Sequence, residues 1–175
     1  MDINHYYINH PTEIITASLG IPNDYRQKCI DKIYLMGDHM QQTTNVKAIM
    51  SSWKIWEQTD ILNTLLKNIL SLVNKSFPLQ DERWEYEINS CWTAVYKKGH
   101  YSNIHEHRPS EISFVYYLQS NGSTPLVFDD CKFDTTPIDD MLVAFPSYLR
   151  HSVPKHKDEE DRICLAGNIN YKLAT

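Results

Sequence analysis

The stretch His105–Ser120, HEHRPSEISFVYYLQS, decides how this sequence is read. Two histidines two residues apart precede an aromatic, β-branched run, Ile112–Leu118, that has the composition of a strand. On an extended backbone residues i and i+2 project to one side. His105 and His107 therefore point together and Glu106 points away. Imidazole suits iron, zinc, copper and nickel, but paired histidines are also common in surface turns, so this pair is half a site.

Downstream of it the chain keeps the same character. TPLVF, MLVAFP and ICLAGNINY are short apolar runs separated by QSNGS, by DDCKFDTTPIDD and by SYLRHSVPKHKDEEDR. Just upstream, RWEYEINSCWTAVY alternates Trp84, Tyr86 and Ile88 with charged neighbours, the pattern of a half-buried strand. Short strands at near-regular spacing predict a sandwich or jelly-roll barrel. Residues 22–77 read differently. Cys29, Ile33, Met36 and Met40 recur at helical spacing after a candidate N-cap, Asn23. A second helix is expected from about Thr59 and Asp60, carrying Ile61, Leu62, Leu65, Leu66, Ile69, Leu70 and Val73 to a stop at Pro78. Trp53 and Trp56, between the helices, could line a pocket but read more readily as capping the core. The sequence thus reads as one α+β domain, residues 1–175, with helices over about 22–77 packed on one face of a β core over about 83–171.

With 175 residues, 42% apolar and 22% charged, the chain suits a single soluble domain. A net charge of −5 leaves no basic footprint for duplex nucleic acid. The four cysteines, Cys29, Cys91, Cys131 and Cys164, form no C-x-x-C pair, which disfavours a cysteine zinc site and a thioredoxin-like motif. The first residues, MDINHYYINHPTEI, lack the pattern of a secretory signal, and no apolar run is long enough for a membrane span. A reduced, cytoplasmic protein is expected.

A third histidine extends the pair. FPSYLRHSVP places His151 after an apolar strand, so ligands from separated strands could meet in a barrel. Arg162 opens the last strand, and a guanidinium near a metal is a natural clamp for a carboxylate ligand. The competing reading of Arg162 is a surface ion pair with the neighbouring KDEED.

Taken in order, HEHRP, ISFVYYL, FPSYLRH and RICLAGNINY make the sequence from about Trp92 to Tyr171 resemble the iron(II)/2-oxoglutarate-dependent oxygenases. It is most like a small bacterial and phage branch of that superfamily. YKKGHYSNIHEH adds a tyrosine, Tyr96, at the position where related branches use one to hold 2-oxoglutarate. The resemblance implies a double-stranded β-helix, the jelly-roll fold shared with cupins. It implies Fe(II) on His105, His107 and His151, with 2-oxoglutarate as co-substrate held by Arg162 and Tyr96. It further implies O2 as oxidant, release of succinate and hydroxylation of a substrate C–H bond. On the last strand Asn168, more than Asn170, is the candidate for reaching the co-substrate.

Three features depart from the family pattern. Its usual triad is two histidines and a carboxylate, but His107 stands at the acidic position. Either the site has three histidines, or His107 lies outside the ligand set. Arg108 is an extra residue before Pro109. Cys164, beside Arg162 by period-2 geometry, stands where a serine or threonine is usual, giving a weaker hydrogen-bonding partner.

Other polar residues read more plainly. His100 and Asn103 could flank the pocket but read more readily as loop polar groups; His156 is expected exposed among KHKDEED, Asp129 and Asp130 in a turn, and His5 and His10 in a terminal tail. Two rival functions fit the same residues: a cupin-like three-histidine metalloenzyme that works without 2-oxoglutarate, and a non-catalytic jelly-roll binding module. The substrate is expected to be a small molecule or a protein side chain. The oligomeric state stays open, a dimer among the options.

Overall fold

The computed structural model describes residues 11–36 and 44–174, so Met40, His5 and His10 lie outside the described residues. The β core consists of two antiparallel sheets. The six-stranded sheet has the order β1 (Ile15–Ser18), β9 (Met141–Pro146), β6 (Ile112–Gln119), β11 (Arg162–Leu173), β4 (Trp84–Tyr96), β3 (Ile49–Met50). The five-stranded sheet runs β2 (Val46–Lys47), β5 (Tyr101–His105), β10 (His151–Val153), β7 (Leu126–Phe128), β8 (Phe133–Thr135). Helices α1 (Asn23–Met36) and α2 (Asn63–Ser76) pack on the outer face of the larger sheet, against β6 and β4 respectively. This is the expected α+β arrangement with helices on one face. Among the described residues no helix is long and apolar enough to cross a membrane.

The large sheet is covered on both sides, which explains the unbroken apolar runs in its central strands. Alternation still sorts the side chains. Phe114, Tyr116 and Leu118 of β6, Ile163 and Leu165 of β11, and Cys91 and Val95 of β4 face the helices. Tyr117, Cys164, Ala166, Trp92, Ala94 and Tyr96 face inward, between the sheets. One strand therefore serves two cores, and the inner one holds the site.

The helices differ from expectation in detail. In α1 the buried positions are Arg26, Cys29, Ile30 and Ile33, while Met36 is only half-buried. Arg26 is drawn in by the Leu118 carbonyl at 2.7 Å and by Asp139 at 3.1 Å. The Asn23 side chain accepts from Arg26 at 2.9 Å instead of capping the helix. The second helix begins at Asn63, after a 3-10 turn at Ile55–Glu57 and a further turn in which the Asn63 N–H donates to the Asp60 carbonyl at 2.9 Å. Trp56 packs at the edge of the outer core as expected. Trp53 does not: it is 38% exposed and stands edge-on to Trp92, with ring centroids 4.6 Å apart.

Gly167 on β11 lies between Phe114 and the backbone of Ser90. A Cβ there would sit 2.6 Å from Phe114 Cζ and 2.6 Å from the Ser90 carbonyl oxygen. The backbone contact cannot yield by a rotamer change, so Gly167→Ala is expected to cost ~1–3 kcal/mol through overpacking. A lowered urea midpoint with an unchanged slope would show it.

Candidate metal centre

His105 ends β5 and His151 opens β10, and the antiparallel register sets these two residues directly opposite each other. His107 follows two residues beyond β5. Its backbone N–H donates to the Ser147 carbonyl at 2.8 Å, which ties it to the turn after β9. The imidazole centroids lie 4.4 Å (His105–His151), 4.9 Å (His105–His107) and 5.1 Å (His107–His151) apart. One ring nitrogen from each falls within 4.8 Å of the others, close enough to share one ion. Phe145 stands edge-on to the His151 ring at 4.8 Å and wedges it in place.

The hydrogen bonds also prepare the rings. His105 Nδ1 faces the Asn103 carbonyl at 2.7 Å and His151 Nδ1 faces the Leu149 carbonyl at 3.0 Å. A carbonyl can only accept, so each Nδ1 carries the proton and each Nε2 keeps its lone pair for a metal. Burial lowers the pKa of all three. That of His107 falls to about 4 and that of His151 to about 3, from burial first and the neighbouring His105 second. At neutral pH the cluster is three uncharged donors, the form that binds a metal.

These shifts make a stability prediction. A histidine that stays neutral in the fold but titrates near 6.5 when unfolded stabilises the protein above that pH. The stability is lost as pH falls from the unfolded value towards the folded one. The metal-free protein should therefore lose stability between about pH 7 and 5, where ordinary carboxylates are still ionised. His151→Gln should flatten that slope in urea titrations; an unchanged slope would show that the cluster does not resist protonation.

Two cavities meet at the histidines, sharing His105, His107, Trp92 and Val46. The inner one runs between the sheets to Arg162 and is also lined by Tyr96, Tyr117, Leu126, His151 and Cys164. The outer one is an open groove with Trp53, Asn45, Lys47, Asn103 and Glu106 on its walls.

Arg162 is 2% exposed. Its Nη1 donates to the Thr124 carbonyl at 2.9 Å and its Nη2 to the Tyr117 hydroxyl at 3.0 Å, while Nε finds no acceptor among the described residues. The rings of Tyr117 and Tyr96 flank the guanidinium at 4.9 and 5.4 Å. No ion pair with the KDEED segment forms among the described residues, because the side chain turns inward to the cavity. A buried cation without a counter-ion carries a large desolvation cost. The physical complement is an anion.

Tyr96 lines the inner cavity, and burial pushes its phenol up. Cys164 lies two residues along β11 from Arg162 on the same wall, with its thiol directed at the Ala94 carbonyl. Asn168 is not on the lining. Its amide is held by Ser90 at 3.0 Å, and it accepts from Ser113 at 2.9 Å. The Glu106 carboxylate is gripped by Arg108, with contacts of 2.6 and 2.5 Å, so it does not join the cluster. Asp129 and Asp130 occupy a turn, and Asp130 pairs with Arg150. His100 accepts from the Lys97 backbone in the turn before β5.

Asn103 lies within β5, not in a loop, and borders the outer groove; the expected exposure of His156 is also overturned. His156 is 2% exposed, because both ring nitrogens find partners under the loop. Tyr117 and Thr124 were not singled out from the sequence. Tyr117 lies in the quoted ISFVYYL run, where period 2 sets it on the face opposite Tyr116, and packing of the second sheet makes that face the inner wall.

The sequence matches no protein-family model and no curated protein. Similarity appears among solved structures. The viral collagen prolyl hydroxylase of Paramecium Bursaria Chlorella virus-1, in its 2-oxoglutarate complex, is 14% identical with a TM-score of 0.69, over 89% of this chain and 94% of that one. A Pseudomonas putida prolyl-4-hydroxylase is 18% identical with a TM-score of 0.65, over 90% and 91%. HygX of Streptomyces hygroscopicus, with nickel and 2-oxoglutarate bound, is 10% identical with a TM-score of 0.69, over 91% and 83%. The chain therefore has the double-stranded β-helix fold of the 2-oxoglutarate oxygenases, over nearly its whole length.

Proposed function

We propose that this protein is an Fe(II)- and 2-oxoglutarate-dependent oxygenase of the hydroxylase type. The observation that carries the reading is the meeting, in one cavity, of three neutral histidines with a buried guanidinium that pairs with no carboxylate among the described residues. His105, His107 and His151 would hold the metal through Nε2 of His105 and His151 and one ring nitrogen of His107. Arg162 would take the distal carboxylate of 2-oxoglutarate, supported by the Tyr117 hydroxyl and flanked by Tyr96. With metal, co-substrate and O2 bound, such a centre supplies oxidising power for C–H hydroxylation, as 2-oxoglutarate is decarboxylated to succinate.

The chain's own residues supply the rest. The carbonyls of Asn103 and Leu149 orient two imidazoles. Phe145, Val153 and Leu126 wall the inner cavity with apolar surface that disfavours water, and Phe128 packs in the same cluster. Cys164 offers the co-substrate a thiol where a hydroxyl would bond more strongly. Three neutral donors leave the metal one unit more positive than two histidines and a carboxylate would, which favours a dianionic ligand. The substrate, a small molecule or a protein side chain, would enter through the outer groove past Trp53 and Trp92.

The test is Fe(II)-dependent turnover of 2-oxoglutarate in air. Succinate should appear slowly even without a substrate, and iron removal by a chelator should stop it. Absence of succinate from the iron-loaded protein, with or without candidate substrates, would overturn the proposal.

A further inference from the structure

His156 is the one fully buried side chain in the exposed, charged segment from residue 154 to residue 161. Its surroundings define its state. Nε2 faces the Glu160 carbonyl at 2.7 Å, so Nε2 carries the proton. In the neutral imidazole Nδ1 then has a lone pair, which accepts from the Thr124 hydroxyl at 2.9 Å. The other hydroxyl near Thr124, that of Ser123, is at 3.5 Å. The His156 backbone also pairs with His100 and Gly99, fixing the ring against the turn that leads into β5. The Thr124 carbonyl, on the residue whose hydroxyl His156 holds, is the acceptor for Arg162 Nη1 at 2.9 Å.

We infer that His156 is a positioning residue for Arg162. It pins the side chain of Thr124, so that the Thr124 carbonyl is presented to one arm of the guanidinium and the free edge of the fork is aimed into the cavity. Its consequence for co-substrate affinity rests on the proposed function above; the placement of Arg162 does not. Thr124 has Pro125 on its C-terminal side and lies outside the named strands, so no sheet ladder fixes it. The hydroxyl-to-imidazole bond does that instead.

Two conservative variants separate positioning from simple anchoring of the loop. In His156→Asn the amide oxygen can occupy the place of Nδ1 and keep the Thr124 bond, while the Glu160 bond is lost. In His156→Gln the longer side chain can keep the Glu160 bond, while Thr124 loses its acceptor. Each loses one hydrogen bond, so their thermal stabilities should fall alike. Thr124→Val removes the same link from the other side.

The primary readout is the guanidinium nitrogen signals of Arg162 in a 15N-labelled protein. Distinct acceptors on Nη1 and Nη2 should give separate, slowly exchanging signals in the wild type and in His156→Asn. They should broaden or merge in His156→Gln and Thr124→Val. Anaerobic titration of the Fe(II)-loaded proteins with 2-oxoglutarate should show about two- to tenfold weaker binding in the latter two only, the range of one lost hydrogen bond. If all variants keep the wild-type Arg162 signals while losing stability equally, His156 is only a loop anchor and the inference is wrong. If the wild type does not bind 2-oxoglutarate, the functional proposal fails, while the Arg162 signals still decide whether His156 positions that side chain.

Discussion

His151→Ala is expected to lose the metal. Its ring is the most buried of the three donors, at 4% exposure, and it lies opposite His105 in the sheet register. Water entering the space left by alanine would have to bind a metal without the Leu149 carbonyl that orients the imidazole. A structural four-ligand site contributes ~10–16 kcal/mol, so one ligand is worth roughly a quarter of that, about 70- to 900-fold in affinity. Iron titration with a competing chelator would measure it. Wild-type affinity in this variant would mean that the ion binds elsewhere. His107→Ala should also weaken binding. The comparison matters, because His107 stands where the family pattern has a carboxylate and Glu106 is engaged with Arg108. His107→Asp would restore the usual two-histidine, one-carboxylate set, and it should still bind iron.

Arg162→Met is expected to separate ligand affinity from stability. Removing one member of a buried charge pair costs ~2–5 kcal/mol of binding, about 30- to 4000-fold in Kd for 2-oxoglutarate. The ligand-free protein should change far less. The substitution removes a buried, unpaired cation, and that gain offsets the hydrogen bonds lost at Thr124 and Tyr117. Calorimetric binding with a non-oxidisable metal in place of iron, alongside urea unfolding, gives both quantities. Equal losses of stability and affinity would mark Arg162 as structural.

Much of this architecture was legible because alternation survives burial. The inward and outward sets along β4, β6 and β11 follow period 2, which put Cys164 on the wall that carries Arg162. The two-residue spacing of His105 and His107 likewise translated into rings that meet. Long-range register was not legible. Nothing local states that His151 stands opposite His105, and the short strands β2, β3, β8 and β10 take their form from their partners more than from their own sequence. The misreading of His156 has a similar cause. KHKDEED is hydrophilic as a block, and composition cannot reveal that one imidazole turns under the loop to meet Thr124 and Glu160. For Trp53 the sequence left a pocket wall and a core cap both open, and only the groove beside it decides for the wall.

The most direct test of the central claim is optical and needs no substrate. The purified protein is loaded with Fe(II) under anaerobic conditions, 2-oxoglutarate is added, and the visible spectrum is recorded. A metal-to-ligand charge-transfer band that saturates with co-substrate, disappears in His151→Ala and needs far more 2-oxoglutarate in Arg162→Met is the expected result. No band in the iron-loaded wild type would contradict the account and return the three histidines to redox-silent chemistry.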